Sequence, residues 1–82
     1  MYFLYILQCS DNTFYTGITT NLDRRIKEHN QSKLGAKYTK IRRPVKLVYS
    51  KEFLDRSTAL VEEYKIKSLT RQEKLNLIKN KL

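Results

Sequence analysis

Tyr2-Phe3-Leu4-Tyr5-Ile6-Leu7, then Ser10-Asp11-Asn12-Thr13, then Phe14-Tyr15-Thr16-Gly17-Ile18 is the stretch that decides the fold. The first run is aromatic and β-branched, and it is apolar at both odd and even positions. A strand with that pattern has both faces covered and lies inside its sheet. The four residues that follow are turn formers, and residues 14–18 read as a second strand. The simplest arrangement is a β-hairpin with Gly17 near the end of its second strand.

Working outward, Thr20 can cap a first helix, with Asp23 three residues on, that runs to about Asn30. Residues 31–44 are polar and basic and read as a loop. Val45 to Phe53 is a third strand, with Val45, Leu47 and Tyr49 alternating against Lys46 and Ser50. A second helix begins between Asp55 and Ser57 and ends near Ser68. Thr70 with Glu73 forms a capping-box pattern that opens a third helix to the C-terminus. The expected class is α+β, in the order ββαβαα. It is a small three-stranded antiparallel sheet flanked by helices, with residues 1–82 as one domain.

Of the 82 residues, 17 are Lys or Arg and 8 are Asp or Glu, a net charge of +9. A field of that strength on so small a surface attracts polyanions, and nucleic acid is the commonest of them. The apolar N-terminal run is too short to span a bilayer, and its flanks are not those of a signal peptide. No cationic amphipathic helix points to a membrane surface. Cys9 is the sole cysteine, which rules out an internal disulfide and fits the reducing cytoplasm. One His and one Cys cannot build a His/Cys zinc site. There is no phosphate-binding glycine loop, dinucleotide fingerprint or serine nucleophile elbow.

Three groups of residues remain as candidates for chemistry. On the first helix, Leu22, Ile26 and His29 share one stripe, and Arg25 lies at its edge, one turn before His29. The pair suits a phosphate grip, or else a core histidine beside a solvated arginine. On the second helix, Ala59, Leu60 and Ile66 mark the apolar side, and Glu63 projects close to its middle, whereas Glu62 points to the edge. A carboxylate so placed needs either a partner, such as Lys67 at i+4, or a divalent cation. The chain also carries six tyrosines and no Trp. Tyr5 and Tyr15 can be cross-strand neighbours on the hairpin, either as packing or as part of a site.

Together these residues resemble the GIY-YIG endonuclease superfamily, whose two name motifs lie on adjacent hairpin strands. Leu4-Tyr5-Ile6-Leu7 stands for the first motif, without its Gly-Ile, and Tyr15-Thr16-Gly17 for the second. Asn21-Leu22-Asp23-Arg24-Arg25-Ile26 with His29 is similar to the first helix of that family. Residues 59–67 are similar to its later helix with the acidic metal ligand. The likeness covers essentially the whole chain and is nearest to the small stand-alone bacterial branch, which also shares Gly35-Ala36-Lys37-Tyr38-Thr39.

The resemblance implies a metal-dependent, structure-selective endonuclease that cuts DNA to a 5′ phosphate and a 3′ hydroxyl, with a role in repair or recombination. Carried over, Glu63 holds one Mg²⁺ or Mn²⁺ and Arg25 grips the phosphate. Of Tyr5 and Tyr15, one positions or activates the attacking water and the other orients phosphate or metal-bound water. His29 supports them as a base or as an orienter of a tyrosine. Lys37, Tyr38, Lys40, Arg42, Arg43, Lys67, Arg71 and Lys74, with Lys79 and Lys81, are expected to contact the nucleic acid backbone. The expected state is a cytoplasmic monomer or weak dimer, with specificity from nucleic acid shape or a protein partner. The alternative is a non-catalytic or partner-dependent module that binds DNA or RNA.

Overall fold

The computed structural model describes residues 1–80, so Lys81 and its expected backbone contact lie outside the described residues. The elements are β1 (Tyr2–Gln8), β2 (Phe14–Thr19), α1 (Leu22–Gln31), α2 (Lys37–Lys40), β3 (Lys46–Phe53), α3 (Arg56–Lys67) and α4 (Arg71–Asn80). The expected α+β order holds, with one short helix, α2, added inside the segment read as a loop. The sheet is antiparallel with strand order β2-β1-β3, which puts the doubly apolar strand in the centre.

Each face of β1 supplies one core. Tyr5, Leu7, Cys9 and Val45 pack with Tyr15, Leu22 and Ile26 on the α1 side. Leu4, Ile6 and Ile66 pack with residues that include Phe14, Ile18, Phe53, Leu77 and Ile78 on the α3 and α4 side. The helices thus cover both faces of the sheet, and burial of apolar area on both is the main stabilising term. Among the described residues, no helix is long and apolar enough to cross a membrane.

Local contacts explain the element ends. The hairpin turn is closed by Asp11, whose Oδ1 accepts from the Thr13 amide and hydroxyl, and Asn12 takes the left-handed conformation that Asn tolerates (φ 66°). The α1 cap is Asn21 and not Thr20. Asn21 Oδ1 accepts from the Arg24 amide at 3.0 Å, while its own amide donates to Thr19 Oγ1 at 3.2 Å. The shift by one residue follows from two adjacent good cap formers, of which Asn is the stronger. Asp55 caps α3 through the Thr58 amide at 2.8 Å, and Thr70 and Glu73 form the expected reciprocal box on α4. Val45 is held by Asn30, whose side chain both donates to its carbonyl (3.0 Å) and accepts from its amide (2.7 Å). That clamp ties the end of α1 to the entry of β3.

Candidate active site

Tyr5 is the centre of the site. It points from β1 to the α1 side and is only 1% exposed. Its direct cross-strand partner is Gly17, and a Cβ there would stand 2.5 Å from Tyr5 Oη and 2.7 Å from Cζ. The glycine is therefore required by close approach: the hydroxyl end of the phenol lies against the β2 backbone at Gly17. Tyr15 pairs with Leu7, so it is the diagonal neighbour of Tyr5 on the same face, with ring centroids 6.5 Å apart.

Helix α1 brings His29 onto both rings. Tyr5 Oη and His29 Nε2 are 2.9 Å apart, and the imidazole centroid is 5.7 Å from Tyr5 and 5.2 Å from Tyr15. His29 has no exposed surface. On its far side, Nδ1 meets Thr39 Oγ1 at 2.8 Å and the Ala36 amide at 3.4 Å. Burial, and next the positive charge of Arg25, pull the His29 pKa down to about 4, so the ring is neutral at pH 7. Burial likewise raises the Tyr5 pKa above that of a free phenol, against the opposing pull of Arg25. In the resting protein Tyr5 is therefore a phenol.

Arg25 stands where the helical stripe placed it, at the edge of this cluster. Its Nη1 lies 2.8 Å from Glu28 Oε1 and 2.9 Å from the Leu34 carbonyl, and its positive charge acts on the Tyr5 phenol. Glu63 is on α3, which packs against β2 and β1. Its side chain is 17% exposed and pairs with Lys67 Nζ at 3.4 Å. The two glutamates act on different tyrosines, Glu63 weakly on Tyr5 and Glu62 on Tyr49. Glu63 has the helical partner, Lys67 at i+4, that one of its two sequence readings gave it.

The expected backbone contacts divide by environment. Lys37 and Lys40 are exposed on α2. Tyr38, 38% exposed, stacks on Tyr15 at 5.9 Å and carries the Arg42 guanidinium 3.9 Å above its ring. Arg42 is also paired with Asp11 at 3.1 Å. Arg71 reaches the Asn12 carbonyl at 2.6 Å and lies over Phe14. Lys74 on α4 is half-buried, and Lys67 holds Glu63.

Arg43 departs most from expectation. Its guanidinium is turned onto the carbonyl oxygens of His29 (2.5 Å), Ser32 (2.6 Å) and Glu28 (3.3 Å). It caps the C-terminal end of α1, where a cation also meets the negative end of the helix dipole, and it is not presented as a surface cation.

Sequence reasoning gave no role to Glu28, Ala36 or Thr39, although Ala36 and Thr39 stand in the stretch shared with the bacterial branch. Glu28 was legible only as an i,i+3 partner of Arg25. Thr39 carries no local signal, because its role is created by the loop that returns it to α1. Gly35 makes that return feasible: a Cβ there would stand 2.5 Å from the Glu28 carbonyl oxygen.

A basic α+β domain with two hairpin tyrosines, an arginine and a histidine on the first helix, and a glutamate on a later one has the make-up of a nuclease-type domain. The model of the GIY-YIG catalytic domain matches residues 1–76, and the chain belongs to the GIY-YIG family. Among its relatives, a UPF0213 protein of Desulfotalea psychrophila is 56% identical over 95% of this chain and 71% of its own length. One of Staphylococcus haemolyticus is 51% identical over 98% of this chain and 96% of its own. The solution NMR structure of the UPF0213 protein of Bacillus halodurans is 45% identical, with a TM-score of 0.64 over 99% of this chain and 86% of that one. A solution NMR structure of an E. faecalis protein is 42% identical, with a TM-score of 0.67 over 96% of this chain and 83% of that one.

Proposed function

We propose that this protein is a divalent-metal-dependent endonuclease that hydrolyses DNA phosphodiester bonds, selects its substrate by structure, and serves repair or recombination. On this reading residues 1–82 act as one domain, a monomer or weak dimer in the cytoplasm. The observation that carries it is the buried contact of Tyr5 Oη with His29 Nε2 at 2.9 Å, beside Tyr15 and within the electrostatic reach of Arg25.

One carboxylate is a suitable donor set for Mg²⁺ or Mn²⁺, ions that keep several waters and draw further oxygen ligands from substrate phosphate. Glu63 is that carboxylate. Its present partner is the more exposed Lys67, an i,i+4 ion pair of the kind worth only a few tenths of a kcal/mol, so exchange for a cation costs little. When bound, such an ion stabilises charge on the phosphate and on the leaving oxygen.

The protein groups then have distinct tasks. Arg25, held by Glu28 and the Leu34 carbonyl, offsets the extra negative charge of the transition state. Tyr15 positions the attacking water, a reading supported by its being half-buried and less enclosed than Tyr5. Tyr5 stays a phenol and donates its proton as a hydrogen bond. Water oxygen bonds to phosphorus, the bond to the 3′ oxygen breaks, and the proton that water loses matches the one the 3′ oxygen gains. The products are a 5′ phosphate and a 3′ hydroxyl. Exposed Lys37 and Lys40, with the Tyr38–Arg42 stack, line the approach and position the backbone.

A second reading, a module that binds nucleic acid without cutting it, is favoured by one observation: Lys67 already neutralises Glu63. A panel of single-stranded, duplex and branched DNA and RNA, incubated with Mg²⁺, Mn²⁺ or EDTA, separates the two. Cleavage of DNA that EDTA abolishes supports the nuclease. Binding that is indifferent to metal, with no product under any condition, supports the module.

A further inference from the structure

Two groups set which nitrogen of His29 carries the proton. The Ala36 amide, whose hydrogen is placed by the backbone, is directed at Nδ1 from 3.4 Å. A hydrogen on Nδ1 would oppose it, so Nδ1 offers its lone pair. Thr39 Oγ1 is 2.8 Å from the same nitrogen, and Thr39 is fully buried. A hydroxyl has one proton to give, and here two acceptors compete for it. The other acceptor, the Ala36 carbonyl at 2.9 Å, already receives the amides of Thr39 (3.0 Å) and Lys40 (3.2 Å). The Thr39 proton therefore serves Nδ1. A neutral imidazole has one N–H, which leaves it on Nε2, facing Tyr5 Oη at 2.9 Å.

We infer that residues 35–39 form a tautomer lock, in which the Ala36 amide and the Thr39 hydroxyl hold His29 as its Nε2–H form, so that His29 donates to Tyr5 and turns the Tyr5 proton away from the ring. With the His29 donor on its oxygen at 2.9 Å, the phenol proton points away from the imidazole. His29 is thereby a donor to Tyr5 and not a base for it. Thr39 is a positioning residue: it acts through His29 and touches no reacting atom. Gly35 allows the loop to lie flush on α1, and the single turn of α2 delivers Thr39 to the ring.

The catalytic consequence rests on the nuclease reading, but the lock itself does not. Long-range ¹H–¹⁵N spectra of the His29 ring at pH 7 test it in the protein alone. Wild type and Thr39→Ser are expected to show a protonated Nε2 and an unprotonated Nδ1. Thr39→Val, of the same shape without the hydroxyl, is expected to show a new population protonated at Nδ1. In cleavage assays Thr39→Val should lower kcat on the order of tenfold or more with little change in KM, and Thr39→Ser should restore it. A wild-type ring protonated on Nδ1 overturns the lock, as does a Thr39→Val ring identical to wild type. If Thr39→Val does not fold, the wild-type and Thr39→Ser spectra still decide. A locked ring in a protein without nuclease activity would sink the nuclease reading and leave the lock standing.

Discussion

The Tyr5 phenol and the His29 imidazole, 24 residues apart in the chain, meet at 2.9 Å in the buried centre of the site. The contact joins the central strand to α1, and the rest of the site is arranged around it. Gly17 clears the space beside the phenol, the charge of Arg25 acts on it, and the 35–39 segment braces the imidazole from behind. A polar contact this deeply buried is favourable only while both partners are present.

Gly17→Ala tests the close approach. The new methyl would have to displace the Tyr5 ring, because contact at 2.5 Å is not tolerated. The expected cost is about 1–3 kcal/mol of stability, read by urea unfolding, together with loss of cleavage. An unchanged midpoint would show that the ring moves freely.

The two tyrosines should separate by their burial. Tyr5→Phe leaves the His29 ring without its partner, so it should lower stability by about 1–3 kcal/mol as well as activity. Tyr15→Phe keeps the aromatic row and should reduce kcat while leaving the unfolding midpoint nearly in place. Equal destabilisation by both would contradict the assignment of Tyr15 to the reacting side.

His29 makes stability depend on pH in a definite sense. Its pKa falls from 6.5 in the unfolded chain to about 4 in the folded one. The unfolded chain therefore binds the proton first, and stability that is complete above pH 6.5 is lost as pH drops toward 4. The loss from this group is at most about 3 kcal/mol. Urea unfolding between pH 7 and pH 4 should show the decline, and His29→Gln should flatten it. A neutral ring also predicts no His29 limb near pH 6.5 in the kcat profile; such a limb, absent in His29→Gln, would mean that the ring titrates in the folded protein.

Arg43→Ala should behave as a cap mutant. Loss of three carbonyl partners at the end of α1 is expected to cost about 1–3 kcal/mol, with the DNA affinity of the folded protein nearly unchanged. Lys40→Ala should do the reverse, leaving stability intact and reducing the salt dependence of binding by about one unit of slope. A large drop in affinity with unchanged stability for Arg43→Ala would return it to the phosphate contacts.

The fold was legible because β1 is apolar on both faces and because caps at Asp55 and Thr70 announce their helices. The α1 boundary slipped by one residue where Thr20 and Asn21 compete. Helix α2 was not legible: one turn of four residues has no apolar period, and its Ala36 cap uses no side-chain bond. In the site, the helical positions of Arg25, His29 and Glu63 were legible by phase, while their roles came only from the family resemblance. Thr39, Ala36 and the inward turn of Arg43 were not, because each depends on a loop folding back over α1. Local sequence marks Arg43 as one more basic residue, and only tertiary structure shows which oxygens it meets.

Glu63→Gln is the most direct test, since it keeps the shape of the side chain and removes the charge that would hold the metal. Cleavage of the preferred DNA in Mg²⁺ should fall by on the order of a hundredfold or more, with binding and unfolding midpoint close to wild type. Cleavage that persists unchanged in the variant, or in wild type under EDTA, would contradict a metal-dependent nuclease centred on Tyr5 and Glu63.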